Sequence, residues 1–457
     1  MLMEYRVQNF FEVFYKKKYL YLLYFWVVLV FGIILAYFIV SSGKVITGLK
    51  VAGIKIGGIP IAQASKALAF RLDPRTDRKI TLFYNNRALT VVPSAIGIRI
   101  NIPATVNQAY RVGRTGPLWT RFITRGRAYR RGMDIEPVFQ YNRNTLDSFY
   151  RLLDAIIAVE PIRSVITVNR QGEISYTPSR TGRAIDRRRL TRLLEKAVAS
   201  PKHGLIKIPV VDIVPPLTEN DINQWGLNKI MGIYSTQFDP SKPDRVQNLK
   251  TACSALDNSL IYPGQNFSFN TWVGPRVTEA GYKEAPVIFM GKLVPGVGGG
   301  VCQVSSTLYN AVLLSNLKII QRFNHSLPST YVPIGRDATV VYGGIDFIFE
   351  NANQNPILIV AKVESPFVTI AVLGAKAGWD KIILEAKTIE TYPFSVKEIP
   401  DPALPKKTKV KVQEGLNGYK VELRREIFQS NGESRKELLN TSIYPSQPEE
   451  YKIGTKN

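Results

Sequence analysis

Cysteine and histidine are scarce in this sequence, with two residues of each. Two cysteines, Cys253 and Cys302, exclude a disulfide scaffold and a cysteine-rich metal site. One bridge between them stays open for an exported protein, because sequence spacing does not test disulfide geometry. A cysteine, a histidine and an aspartate at the spacings found here match no common ligand pattern, so we expect neither a metal nor another cofactor.

Acidic residues are also in deficit. The 36 Asp and Glu residues face 60 Lys and Arg residues, which gives a formal net charge of +24. Such a charge attracts polyanions. The basic residues recur in three segments, 111–131, 183–192 and 406–411, and no nucleic-acid-binding signature accompanies them, so no nucleic-acid partner is expected. A solvated basic surface and an anionic wall or membrane polymer remain as interpretations.

One long run, residues 19–40, lacks charge altogether. A transmembrane helix needs about 20 apolar residues, and Lys16–Lys18 in front of the run predict that the tail 1–18 stays in the cytoplasm. A cleaved signal peptide is the alternative, although its apolar core spans only about 7–15 residues. We therefore expect an uncleaved signal anchor in the cell membrane, single-pass, with the C-terminal domains extracytoplasmic.

The rest of the chain predicts several α+β domains. Residues 44–225 repeat one frame twice: a strand, a P-S-x-x-G turn, an Asn or Asp cap and a helix, with the caps at Asn101 and Asp186. Residues 226–375 form an α+β core. Residues 388–457 alternate apolar and polar residues around the turn at Asn431-Gly432, which predicts a small all-β module.

The core contains one arrangement that could perform chemistry. Three glycines, Gly298–Gly300, open onto a predicted helix from Gln303 to Arg322, and Cys302 stands at its start. The positive end of a helix dipole favours a thiolate there. His325 and Asp337 follow in an order that suits thiol catalysis, in which the histidine takes the thiol proton and the aspartate orients the imidazole.

Structural roles compete with this hypothesis. A cysteine beside glycines is often a small packed residue, and an aspartate is common in turns. Candidate ligand-binding residues surround the three; Arg276 among them suits a carboxylate or a sugar. They are Arg276, Asn270, Gly298, Gly299, Gly300, Gln303 and Arg336.

Long stretches of the core closely resemble the VanW family: PGQNFSFN (263–270), VGPR (273–276), GGGVCQVSSTLYN (298–310), HSLPSTYVPIGRDATV (325–340) and YGGIDFIFEN (342–351). The duplicated region resembles the peptidoglycan-binding domain that often precedes a VanW core, most clearly in TPSRTGRAID (177–186). The tail resembles a G-five domain, a β-module of bacterial surface proteins. In this family a small apolar residue usually stands where Cys253 does, which implies that Cys253 is a packing residue and weakens the disulfide interpretation.

The resemblance implies an extracellular, wall-associated protein, and the family takes its name from glycopeptide-resistance gene clusters. We expect a binding protein for peptidoglycan or an anionic wall polymer, with a role in envelope maintenance or antibiotic resistance. The alternative is a thiol-dependent enzyme that uses Cys302, His325 and Asp337 on peptide or amide bonds of wall material.

Overall fold

The computed structural model describes residues 20–32, 42–202, 204–289, 292–375 and 378–456. Its contacts divide the chain into two compact units. Unit 1 holds the residues up to Glu160 together with Thr181–Ile213. Unit 2 holds Pro161–Arg180 together with the residues from Val214 onward.

The predicted transmembrane helix is wrong, and with it that element of the predicted fold class. Among the described residues, no helix is long and apolar enough to cross a membrane. Residues 20–32 are helical and exposed, and a helix of this length spans about 20 Å against a hydrocarbon core of about 30 Å. Residue 19 and residues 33–40 of the predicted anchor, and the tail 1–18, lie outside the described residues.

Unit 1 is a mixed α+β fold in which short sheets and five helices share one core. The helices are α1 (Ile61–Thr76), α2 (Ile102–Arg111), α3 (Leu118–Arg131), α4 (Arg143–Ile157) and α5 (Arg187–Ala199). The strands are β1 (Leu49–Val51), β2 (Ile54–Lys55), β3 (Ile80–Tyr84), β4 (Arg87–Val91), β5 (Ile98–Ile100), β6 (Met133–Ile135), β7 (Phe139–Tyr141), β10 (Gly182–Ile185), β11 (Leu205–Lys207) and β12 (Val210–Ile213). They pair in the orders β2-β1-β6, β11-β3-β4, β5-β7 and β10-β12.

The two predicted helix caps are present in the structure. The Asn101 side chain accepts a hydrogen bond from the amide of Ala104, and that of Asp186 accepts one from Arg189, both at 2.9 Å. Each bond satisfies a first-turn amide that the helix itself leaves without a partner. The polar caps therefore fix where α2 and α5 begin.

Unit 2 contains the remaining strands and helices, again as a mixed α+β fold. Its helices are α6 (Glu219–Gln224), α7 (Pro243–Leu256), α8 (Phe269–Val273) and α9 (Val301–Leu314), with a 3₁₀ turn at Thr278–Ala280. Its first strands are β8 (Val165–Val168), β9 (Ile174–Thr177), β13 (Ile230–Gln237), β14 (Ser259–Ile261), β15 (Asn266–Ser268), β16 (Glu284–Phe289), β17 (Lys292–Val297), β18 (Lys318–Gln321), β19 (Ile348–Glu350), β20 (Ile357–Glu364) and β21 (Phe367–Leu373). They form the sheets β13-β21-β20-β14, β15-β19-β18, β16-β17 and β8-β9.

The C-terminal residues of unit 2 form the β-module, named here for its strands. These are β22 (Trp379–Tyr392), β23 (Val396–Pro405), β24 (Lys409–Gln413), β25 (Gly418–Gln429), β26 (Ser434–Tyr444) and β27 (Glu449–Lys456). They form two three-stranded sheets, β22-β25-β26 and β23-β27-β24. The turn at Asn431-Gly432 joins β25 to β26, with Gly432 at a φ of 89° that favours glycine.

Helix α9 lies in the core of unit 2, and nearly all of its side chains are buried. It ends at Leu314 rather than at Arg322, because Asn316 has a left-handed φ of 55° and Lys318–Gln321 pair with β19 as a strand. Ile319 and Ile320 favour that extended pairing. The early end of α9 lets the chain turn back toward Cys302 with His325.

Candidate functional site

Cys302 lies in the first turn of α9, directly after the glycine loop. Gly300 caps the helix at a φ of 108°, and Gly298 has a φ of 88°. The helix buries nearly all of its other side chains and leaves Cys302 half-buried. Its thiol lies 3.6 Å from the carbonyl oxygen of Val340. Because first-turn amides lack intrahelical acceptors, the backbone beside the sulfur presents positive charge.

His325 and Asp337 lie against each other near this cysteine. The imidazole Nδ1 of His325 is 2.6 Å from Oδ2 of Asp337, and the backbone amide of His325 donates to the same oxygen at 2.7 Å. Both side chains are buried. With Nδ1 held by the carboxylate, Nε2 is the ring nitrogen left for Cys302, which is close enough for the imidazole to shift the pKa of its thiol.

The three residues shift one another's protonation. Burial raises the pKa of the Cys302 thiol, but the hydrogen bond and charge of His325 outweigh burial and hold that pKa below its usual value. Burial lowers the pKa of His325, yet its bonds to Asp337 and Cys302 raise it to about 9. Burial opposes the charge of Asp337 as well, while His325 and Arg322 keep its pKa below the ordinary range. The favoured state is therefore a thiolate beside an imidazolium.

Sequence reasoning missed two residues that hold Asp337. Arg322, where the sequence predicted the helix to end, donates from Nη2 to Oδ1 of Asp337 at 3.1 Å. Tyr444, at the end of β26, donates its hydroxyl to the same oxygen at 2.5 Å. No sequence signal links either residue to Asp337, since Tyr444 is distant in the chain and Arg322 appears as part of a helix.

Three further polar side chains surround the sulfur. Arg245, Arg276 and Tyr331 are half-buried and close enough to Cys302 to interact with its charge. Arg276 donates from Nη1 to the carbonyl of Gly274 at 3.0 Å. Its buried Nη2 has no hydrogen-bond partner within the described ranges. A guanidinium in this position suits a carboxylate or a polar oxygen of a substrate.

The other candidate ligand-binding residues are held by the protein itself. Gln303 is buried and donates to Thr236 and to the carbonyl of Gln237. Arg336 donates to Asn310 at 2.6 Å. Asn270 donates to two carbonyls of the 341–345 turn, although its buried Oδ1 lacks a partner in the described part of the chain. These contacts give the three residues a role in packing beside the site.

The glycine loop needs small residues for a steric reason at its centre. A Cβ on Gly299 would stand 2.5 Å from the carbonyl oxygen of Ala285. We expect Gly299→Ala to lower the free energy of unfolding by about 1–3 kcal/mol, since overpacking forces the backbone to move. Denaturant unfolding measures the change. Gly344→Ala is the matched control, because its Cβ would meet nothing closer than 3.9 Å; equal losses in both variants would contradict this account.

The second cysteine is different in character. Cys253 is a buried residue of α7, and burial raises the pKa of its thiol. Both cysteines are free thiols. In the described parts of the chain, no group of three or more His, Cys, Asp or Glu residues could hold a metal ion. The arrangement at Cys302 can present a thiolate to an acyl carbon.

Comparison with known proteins gives matches over three parts of the chain. Residues 244–373 match the family described as "VanW like protein", and residues 89–204 match "Putative peptidoglycan binding domain". Residues 384–456 match "G5 domain". These matches confirm the three family resemblances predicted from the sequence.

Two curated relatives align with the chain. The "Uncharacterized protein YoaR" of Bacillus subtilis is 38% identical over 226 residues, which are 50% of this chain and 72% of the relative. The "Vancomycin B-type resistance protein VanW" of Enterococcus faecalis is 36% identical over 124 residues, 26% of this chain and 45% of the relative.

Two solved structures align with a small part of the chain. A G5 domain of an IgA1 protease is 28% identical, with a TM-score of 0.14, and is covered over 93% of its length against 17% of this chain. The G5 domain of HP0197 is 21% identical, with a TM-score of 0.11, and is covered over 100% of its length against 16% of this chain.

Proposed function

The chain belongs to the family of VanW-like proteins, and we propose that this wall-associated protein uses Cys302 as the nucleophile of an acyl-transfer reaction on peptide or amide bonds of wall material. The observation that carries the proposal is the buried pair of His325 and Asp337, joined at 2.6 Å, beside the thiol of Cys302 whose pKa it lowers. A purely structural cysteine would not need a buried imidazole and carboxylate aligned behind it.

The reaction proceeds in two balanced steps. The Cys302 thiolate attacks the carbonyl carbon of an amide, and a C–S bond forms. The His325 imidazolium gives its proton to the leaving amine as the C–N bond breaks, which leaves a thioester. Water or an acceptor amine then attacks the thioester, His325 takes the proton from that nucleophile, and the C–S bond breaks.

Separate groups would stabilise and hold the substrate. The first-turn amide of Cys302 can donate to the oxygen that becomes negative in the tetrahedral intermediate. Arg276, with a free Nη2, would hold a carboxylate or sugar oxygen of the wall material next to the reacting bond.

The experiment that tests catalysis is digestion of purified peptidoglycan by the wild-type and Cys302→Ala proteins, with the products resolved by mass spectrometry.

A second function, wall-polymer binding, has its own support in unit 1. The segment that matches a peptidoglycan-binding domain, residues 89–204, contains a groove of about 670 Å³ at the first P-S-x-x-G turn. Its lining is mostly polar, with one half-exposed aromatic ring, a combination that suits a polysaccharide. The groove is lined by Ser94, Ala95, Gly97, Arg99, Gln140, Tyr141, Asn142 and Thr145.

Arg99 supplies the charge of this groove and is exposed. We expect Arg99→Ala to weaken co-sedimentation of the protein with purified peptidoglycan by about fivefold, because one charge-assisted hydrogen bond is lost. The effect should shrink as salt screens the charge. Arg127→Ala removes an exposed arginine of α3 outside the groove and should bind like the wild type. Equal losses in both variants would indicate that the polymer binds over a diffuse basic surface and not in the groove.

We further propose an extracytoplasmic location and a role in envelope maintenance or antibiotic resistance. The supporting facts are the match to a peptidoglycan-binding domain and the name of the Enterococcus relative, a vancomycin B-type resistance protein. The net charge of +24 fits an anionic wall polymer as the partner.

A further inference from the structure

The residues of the candidate site are held in place from the β-module as well as from the core. The module's Tyr444 is fully buried, and its hydroxyl donates to Oδ1 of Asp337 at 2.5 Å. The same hydroxyl accepts a hydrogen bond from the amide of Gly335 at 2.9 Å. Gly335 precedes Asp337 by two positions, so one hydroxyl fixes both the carboxylate and the backbone that presents it.

Arg322 connects the same elements a second time. It donates from Nη1 to Ser442 at 2.7 Å and to Asn440 at 3.1 Å, both on β26. Its Nε donates to the carbonyl of Asp337, and its Nη2 to Oδ1 of the carboxylate. The guanidinium therefore links β26 to both the backbone carbonyl and the side-chain carboxylate of Asp337.

The module also reaches the helix that carries the nucleophile. Arg425 of β25 is buried and donates to the carbonyls of Leu313 and Leu317, at and beyond the end of α9. Leu313 lies in the last turn of α9, where carbonyls lack the amides of a following turn, and the guanidinium adds a donor there. Asn440 of β26 donates to the hydroxyl of Tyr309 within α9 at 2.7 Å. The module thus fixes α9 at its C-terminal end while it fixes Asp337 directly.

We propose that the β-module is part of the catalytic centre and that Tyr444 is its positioning residue, which holds Asp337 in the orientation that aligns His325 with Cys302. This proposal rests on the proposed thiol function. Tyr444 touches neither Cys302 nor the substrate in this role; it acts through the carboxylate. Two donors on Oδ1, Tyr444 and Arg322, leave Oδ2 directed at the imidazole.

The charged and titratable groups around the thiol and imidazole come from several elements. They are Asp337, Arg322, Tyr309, Tyr331, Arg245, Arg276 and Tyr444. Removal of the Tyr444 hydroxyl leaves the other six groups in place. A change in the pH profile of Cys302 in that variant therefore reports the orientation of Asp337 and not the loss of a charge.

The test is the rate of Cys302 alkylation by iodoacetamide as a function of pH in the full chain. We expect Tyr444→Phe to slow labelling at neutral pH by about tenfold, since the bond it removes is one to a charged group. The midpoint of the profile should move up toward that of a free thiol. Tyr451→Phe is the matched control: it removes a tyrosine–carboxylate bond of 2.6 Å, to Glu449, in the same module. It should label like the wild type.

A double-mutant cycle separates positioning from general damage. In an Asp337→Asn background, Tyr444→Phe should have no further effect on labelling, because its action runs through Asp337. Additive effects, or an unchanged profile in Tyr444→Phe, would overturn the proposal. If Tyr444→Phe does not fold, Ser442→Ala takes its place in the test. It removes an acceptor of Arg322 and should shift the profile in the same direction. A wild-type Cys302 that labels no faster than Cys253 would instead overturn the thiol function itself.

Discussion

Replacement of Cys302 by alanine is expected to abolish amide-bond turnover in purified peptidoglycan, with a loss of roughly 10³-fold or more, because removal of a nucleophile eliminates the covalent route. Wall binding should persist, since the groove at Arg99 belongs to unit 1 and Cys302 to unit 2. Mass spectrometry of the digested wall measures turnover, and co-sedimentation measures binding.

Cys253→Ala is the control for this variant. It removes the other thiol of the protein, a buried packing residue of α7, and should keep turnover close to the wild-type rate. Some loss of stability is expected in the control, because truncation of a buried side chain leaves a cavity. Wild-type protein that leaves the wall unchanged, or Cys302→Ala that remains active, would leave wall binding as the surviving function.

The second large effect is the difference in reactivity between the two thiols. We expect Cys302 to react with iodoacetamide at pH 7 at least about 100-fold faster than Cys253, since the thiolate is the reactive form. The pKa of Cys302 is lowered by His325, whereas burial raises that of Cys253. Peptide mapping of each alkylated cysteine over time gives the two rates in one sample.

The pH dependence of turnover follows from the same groups. Because the pKa of the Cys302 thiol is lowered, the rate of turnover should begin to rise at a pH below the free-thiol pKa of about 8.5. The falling limb should lie near pH 9, because His325 has a pKa raised to about 9 and loses above it the proton that the leaving amine needs. His325→Gln keeps a polar side chain but should remove the falling limb and return the labelling midpoint toward 8.5. A profile that rises steadily through pH 10 would exclude His325 as the acid.

The features of this protein that depend on local chemistry can be predicted from the amino-acid sequence. Asn101 and Asp186 mark helix starts because a side-chain acceptor next to free amides needs no distant partner. Asn431-Gly432 marks a hairpin for an equally local reason, the left-handed φ of its glycine. The order of Cys302, His325 and Asp337 inside family-like stretches was likewise sufficient to name them together.

Long-range packing determines which side chains meet and what charge they carry. The pairing of Lys318–Gln321 with β19 overrode an apolar run that predicts helix, and this brought His325 back to Cys302. Burial raises the pKa of Cys253, whereas the distant His325 lowers that of Cys302. Both the burial and the His325 contact exist only in the folded chain. Tyr444 meets Asp337 because β26 packs against the 322–340 loop, and a contact between residues so far apart in the chain leaves no trace in local sequence.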